Sequence, residues 1–204
     1  MTDQTNFDPK IYFKADPILC RIVERLPLPQ VHSTKNVFHD LLSCVLEGII
    51  HYRSRGGLFD QLLDEARMSN LTVDKYEAFE KKALRTGRVT DERRQTTQNV
   101  AAYWKMNPDL SWLTMTEQEL RGHFSKINGV GEHCTEMILL YTLGLPNINP
   151  IHDRDLAIVV ENLYDIAPND NFEQRILEIS SAWGDQVSLA VKYLIDWHEH
   201  GKQL

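Results

Sequence analysis

Apolar residues recur along the chain at steps of three and four. Phe38, Leu41, Leu42, Val45, Leu46, Ile49 and Ile50 form one series, Leu156, Val159, Val160 and Leu163 a second, and Leu189, Ala190, Tyr193, Leu194 and Trp197 a third. That spacing follows the α-helical turn and gives each segment one apolar face. No two-residue alternation is bounded by hairpin dipeptides, so strands are few or absent. The breaks fit the same reading. A helix opens near Asp16-Pro17 and closes at Pro27-Leu28-Pro29, and the helix from about Phe38 is expected to run to Gly56-Gly57. Asn107-Pro108 ends a helix over about 90–106, and Thr116 with Glu119 makes a capping box for the next. Gly144-Leu145-Pro146 is a stop, 147–150 a loop, and Pro168-Asn169-Asp170 precedes the last helices. The pattern predicts an all-α chain of roughly nine or ten helices.

Composition narrows this further. With 204 residues, 42% of them hydrophobic, the chain can bury one sizeable core or two small lobes sharing a cleft. A quarter of the residues are charged and apolar residues are spread throughout, which excludes a disordered chain. No apolar run reaches membrane-spanning length, and the first residues lack a basic region followed by an apolar run, so an intracellular location is expected. Cys20, Cys44 and Cys134 are too widely spaced for a disulfide framework or a cysteine zinc site. His198 and His200 stand two apart on a helix, which turns their rings to different sides, so no metal site is expected from side chains. The net charge of −7 argues against a protein that coats nucleic acid non-specifically. Charge is uneven: residues 81–94 balance at +4 through Lys81, Lys82, Arg85, Arg88, Arg93 and Arg94, and residues 153–204 balance at −6. Each reads as a solvated helix face or, for the first, as a basic edge suited to a phosphate backbone.

The stretch from Phe124 to Thr135 carries the most information. A helix capped at Thr116 leads into Ile127-Asn128-Gly129-Val130-Gly131, and a second helix runs from Gly131 to about Leu143. Two glycines permit positive φ and close approach by another molecule, and Val130 between them can plug the space between the helices. Free N–H groups at the second helix's start form a neutral anion site, suited to a phosphate without any basic side chain. The bland alternative is an ordinary helix–turn–helix corner.

Ile127-Asn128-Gly129-Val130-Gly131 resembles the hairpin of the helix-hairpin-helix DNA glycosylases, with Asn128 where that family usually has Pro. Leu143–Asn147 and Pro150-Ile151-His152-Asp153 resemble the family's helix end and the loop reaching its catalytic Asp, and 183–201 resembles the closing helix of the alkylbase (3-methyladenine) branch. The resemblance spans about 16–201. It implies one domain over 1–204 built of two helical lobes with an active-site cleft between them: approximately 36–145, with the hairpin at 124–131, and approximately 1–35 with 146–204. It further implies Ile127, Gly129, Val130, Gly131, His133 and Thr135 as the DNA-binding set, double-stranded DNA with a damaged base as partner, and a monomer working in base excision repair.

Asp153 opens the apolar segment 154–164 and is suited to be its N-cap. The cap and a catalytic role are compatible. The helix dipole favours an ionised carboxylate there, which can stabilise positive charge on a deoxyribose as its base departs and can orient or deprotonate water. The resemblance places the family's catalytic Asp at Asp153, while Asp155 complements the dipole. Where the strand-cleaving branch has a Schiff-base Lys, this chain has His133, so base removal without lyase activity is expected. No Cys follows Cys134, which excludes the family's iron–sulfur cluster, and a backbone-bound monovalent cation at the hairpin is the one ion the resemblance suggests. A flipped base needs aromatic walls, for which Tyr52, Trp104 and Trp112 are candidates beside Tyr103 and Trp183, although most aromatics at helical spacing are core. Two departures stand out: Glu47 heads a 47–53 segment that is Gln-rich in the alkylbase branch, and Val187 precedes Ser188 where Arg is usual. Beside an alkylbase glycosylase, the residues leave open an inactive DNA-binding or scaffold protein and a glycosylase for oxidised or mismatched bases.

Overall fold

The computed structural model describes residues 8–50, 53, 56–85, 87–167 and 169–200. Among these there is no strand, and no helix is long and apolar enough to cross a membrane. The α-helices are α1 (Pro9–Tyr12), α2 (Pro17–Arg25), α3 (Val37–Glu47), α4 (Leu58–Ala66), α5 (Tyr76–Phe79), α6 (Asp91–Met106), α7 (Glu117–Phe124), α8 (Glu132–Met137), α9 (Arg154–Leu163), α10 (Phe172–Ser180) and α11 (Val187–His200). Two of them widen into a π-helical turn, α5 into Glu80–Leu84 and α8 into Ile138–Thr142. The chain divides into two compact units, residues 32–145 and residues 1–31 with 146–204.

The central unit is organised around α3. Every residue from Val37 to Leu46 is buried, so this helix is enclosed on all sides instead of presenting one apolar face. It packs against α4, α6, α8 and the π turn after α8. Its three buried polar side chains are bonded: the Leu71 N–H donates to His39 Nδ1 (3.1 Å), Asp40 accepts from the hydroxyls of Thr34 (2.9 Å) and Thr142 (2.7 Å), and the Ser43 hydroxyl donates to the Ile49 carbonyl (3.4 Å). The helix stops earlier than its apolar period suggests. Gly48 takes φ +76° at the C-cap and donates its N–H to the Cys44 carbonyl (2.8 Å), and a left-handed cap ends a helix whatever follows. Ile50 is still buried, but beyond the helix. Downstream, α4 has no side-chain cap at Gly57. The Glu47 carboxylate reaches across instead and accepts the Phe59 N–H.

The second unit joins distant parts of the chain. Helix α11 packs on both α9 and α2. The core includes Phe13, Leu19 and Ile22 from one end and Leu156, Val160, Trp183 and Leu194 from the other. Asp16 is its polar keystone. One carboxylate oxygen caps α2 by accepting from the N–H groups of Ile18 and Leu19 (3.0 Å each). The other accepts from the Tyr164 hydroxyl (2.6 Å) and the Trp183 indole N–H (2.8 Å). Burial, followed by Asp16's hydrogen bond and charge, drives the Tyr164 hydroxyl far above the ordinary tyrosine range.

Candidate functional site

Helix α7 starts as expected, with Thr116 and Glu119 satisfying each other's backbone N–H groups. Its last residues lead into a tight turn in which the Val130 N–H donates to the Ile127 carbonyl (3.0 Å). Gly129 occupies the third position at φ +91°, where a side chain is strained. A Cβ there would also lie 2.2 Å from Thr96 Oγ1, so α6 presses on the turn from behind. Asn99, three residues along α6, donates its amide to the Asn128 carbonyl (2.9 Å). Thr96 and Asn99 are thus the clamp that shapes the hairpin. A polar pair at i, i+3 on α6 was the available sequence signal.

Gly131 behaves differently. Its φ is −89°, and a Cβ added to it would meet nothing within 4 Å. Nothing inside the protein requires a glycine there, and the residue is exposed at the N-cap of α8 with no side-chain hydrogen bond. The N–H groups of the helix's first turn therefore open beside a surface kept free of side-chain bulk.

The other residues assigned to the hairpin divide by burial. Val130 is half-buried in the turn. Ile127 is buried beneath it, supporting the turn and offering no exposed surface. Thr135, also assigned to the DNA-binding set, is 3% exposed, and its hydroxyl donates to the Gly131 carbonyl (3.2 Å) within α8. His133 points inward, donating Nε2–H to the Gly48 carbonyl (2.7 Å) with Nδ1 buried and unpartnered. It ties α8 to the end of α3. The hairpin's carbonyls at 127 and 128 accept from the Val130 N–H and the Asn99 amide. Among the described residues, no group of three or more His, Cys, Asp or Glu could hold a metal ion.

The aromatic candidates are packed against other rings. Trp104 and Trp112 stack on each other at 4.3 Å, and Trp112 stacks on Phe124 at 5.3 Å. Trp112 is thus stacked on two ring partners and buried. Trp104 and Trp112 line a groove of ≈ 580 Å³ with Lys35, Phe38 and Leu110, at the N-terminal end of α3, whereas His133 meets the C-terminal end. Tyr103 lies beside His123, hydroxyl to Nδ1 at 2.7 Å, and burial raises its hydroxyl pKa. Trp183 is fully buried on Asp16. Tyr52 lies outside the described residues. The basic edge is largely committed: Arg88 pairs with Glu65, Arg94 with Asp91 (2.8 Å), and Arg93 and Lys82 donate to the carbonyls of Leu46 and Ala66.

Asp153 lies in the second unit, 4% exposed, and is the N-cap of α9. Its Oδ1 accepts the Leu156 N–H at 2.8 Å, and its own N–H donates to the Pro150 carbonyl at 2.9 Å. Asp155 sits in the first turn of α9, half-buried. The loop leading to Asp153 is held by α11: the Ile148 N–H donates to Ser188 Oγ (2.8 Å) and the Ser188 N–H to the Pro146 carbonyl (2.9 Å). Ser188, buried at the start of α11, thus positions the loop whatever residue precedes it.

No family model and no curated protein matches the sequence. Solved structures do. The chain is similar to the DNA-3-methyladenine glycosidase of Bacillus halodurans, with 16% identity, TM-score 0.70, and 96% of this chain covering 92% of that one. A 3-methyladenine DNA glycosylase of Schizosaccharomyces pombe, in complex with abasic DNA, matches at 15% identity and TM-score 0.74, covering 96% of this chain and 98% of the other. That of Archaeoglobus fulgidus matches at 15% identity and TM-score 0.72, covering 96% and 70%. The chain has the fold of the helix-hairpin-helix DNA glycosylases. Within that fold, Gly129 and Gly131 form the hairpin turn and its exposed end, and Asp153 caps the helix after the loop.

Proposed function

We propose that the protein is a monofunctional DNA glycosylase that hydrolyses the N-glycosidic bond of an alkylated base in duplex DNA, acting as a monomer in base excision repair. The observation that carries the reading is Asp153: a buried carboxylate held by the first turn of α9, retained in a fold shared along nearly the whole chain with 3-methyladenine glycosylases. In the proposed reaction the C1′–N bond breaks as the base departs, and positive charge builds on the sugar. The Asp153 carboxylate stabilises that charge and orients the attacking water, whose oxygen bonds to C1′ while its proton passes to the carboxylate and on to solvent. A base already cationic through alkylation leaves as a neutral molecule, which lowers the demand for a general acid. The α8 end of the hairpin takes a backbone phosphate on its N–H groups, with Gly131 keeping the approach clear.

Two further observations support the choice of class. His133 stands where the strand-cleaving branch has its Schiff-base Lys, and an imidazole, with no primary amine, makes no stable imine with the sugar; its Nε2–H is spent on the Gly48 carbonyl. Glu47, the departure that favoured an inactive scaffold, is engaged as a cap for α4, which gives its presence a structural reason.

The test uses duplexes carrying alkylated, oxidised or deaminated bases, followed by alkali. Strand breaks at the alkylated base that require alkali support the proposal. Breaks without alkali, with borohydride trapping of protein on DNA, overturn the monofunctional part. Release of only oxidised or deaminated bases overturns the substrate.

A further inference from the structure

The central unit holds two thiols side by side that the chemistry above does not use. Cys44 on α3 is buried, Cys134 on α8 is half-buried, and neither is joined in a disulfide. Helices α3 and α8 pack together, and the Cys134 thiol lies in hydrogen-bond contact with that of Cys44. The surroundings hold this register firmly. The Gly48 N–H donates to the Cys44 carbonyl (2.8 Å), and the Gly48 carbonyl accepts from His133, the residue just before Cys134 (2.7 Å). Arg93, fixed by its bond to the Leu46 carbonyl (2.6 Å), stands close enough for its charge to act on Cys134.

We propose that Cys44 and Cys134 form a redox-modification site, at which a peroxide converts the pair to a disulfide joining α3 to the hairpin helix α8. The contact with Cys44 and the charge of Arg93 hold the Cys134 thiol below the ordinary range, against the opposing effect of burial, and the thiolate is the nucleophile. The Cys134 thiolate attacks one peroxide oxygen, the O–O bond breaks, and hydroxide leaves, giving a sulfenic acid. The Cys44 sulfur then attacks the Cys134 sulfur, and its proton leaves with the displaced hydroxide as water. Overall two thiols lose two electrons and two protons, and the peroxide is reduced to water. The bond closes a loop from 44 to 134, which restricts the unfolded chain and raises the melting temperature of the oxidised form.

The full chain is treated with dilute hydrogen peroxide, quenched, alkylated under denaturing conditions and weighed by mass spectrometry. The expected result is a chain carrying one alkyl group in place of three, with about 2 Da lost to the disulfide, a linked peptide pair containing Cys44 and Cys134, Cys20 still alkylated, and a melting temperature several degrees higher. In Cys44→Ala the linkage is absent and Cys134 is trapped by dimedone as a sulfenic acid. Three alkylable thiols after treatment, a linkage through Cys20, or direct passage of Cys134 to sulfinic acid in the wild type would each overturn the proposal. The wild-type masses decide even if the variant folds poorly. No readout involves DNA, so failure here is separate from failure of the glycosylase reading.

Discussion

At the scale of single residues, function and stability can be pulled apart. Asn caps a helix as well as Asp does, so Asp153→Asn should leave the melting temperature nearly unchanged while slowing base release by roughly 10²–10⁴-fold. Equal losses in melting temperature and activity would make Asp153 merely structural. The two hairpin glycines make a second contrast. Gly129→Ala meets both a φ of +91° and a 2.2 Å approach to Thr96, and should cost about 1–3 kcal/mol in urea unfolding. Gly131→Ala meets neither, and should unfold like the wild type while binding DNA about tenfold or more weakly. Both glycines stood out in the sequence as one motif. Their different reasons did not, because the clash that separates them comes from α6, more than thirty residues away.

Helix ends show where sequence reading holds and where it fails. The caps at Asp16, Thr116 and Asp153 were legible, because each is closed by N–H groups two or three residues on. The stop at Gly48 was hidden by Ile49 and Ile50, which continue the apolar period although the backbone has already turned. The cap of α4 was hidden for another reason: its acceptor, Glu47, lies twelve residues before the N–H it satisfies. That assignment is testable. Glu47→Ala should cost about 0.5–2 kcal/mol in denaturant unfolding, and Glu47→Gln, which keeps an acceptor, should cost less. Equal losses in the two variants would mean that the carboxylate's charge matters more than its bond to Phe59. For the aromatic candidates, helical spacing identified large rings but not their partners: Trp112 stacks with Trp104 and Phe124, which come from other segments of the chain.

For the whole molecule, the buried tyrosines set an alkaline limit. Burial pushes the Tyr76 hydroxyl up to about 12, and Tyr164 is raised further by burial and by Asp16. The unfolded chain releases these protons near pH 10 while the folded chain still holds them. Their contribution is thus fully present below about pH 10 and is lost as pH rises, with Tyr76 levelling off near its folded value. Urea midpoints should fall steeply above about pH 10, and Tyr76→Phe should flatten that limb; an unchanged slope would remove Tyr76 from the account. The bonds from Tyr164 and Trp183 to Asp16 span 148 and 167 residues, and no local pattern announces contacts of that reach. They also bear on how the chain is made. Residues 32–145 leave the ribosome as a continuous stretch and can condense while synthesis proceeds. Asp16, translated before that stretch, waits for Tyr164 and Trp183 beyond it before its second carboxylate oxygen is satisfied, so a chain stalled between them would carry α2 with its apolar face uncovered, a natural target for chaperones and proteases.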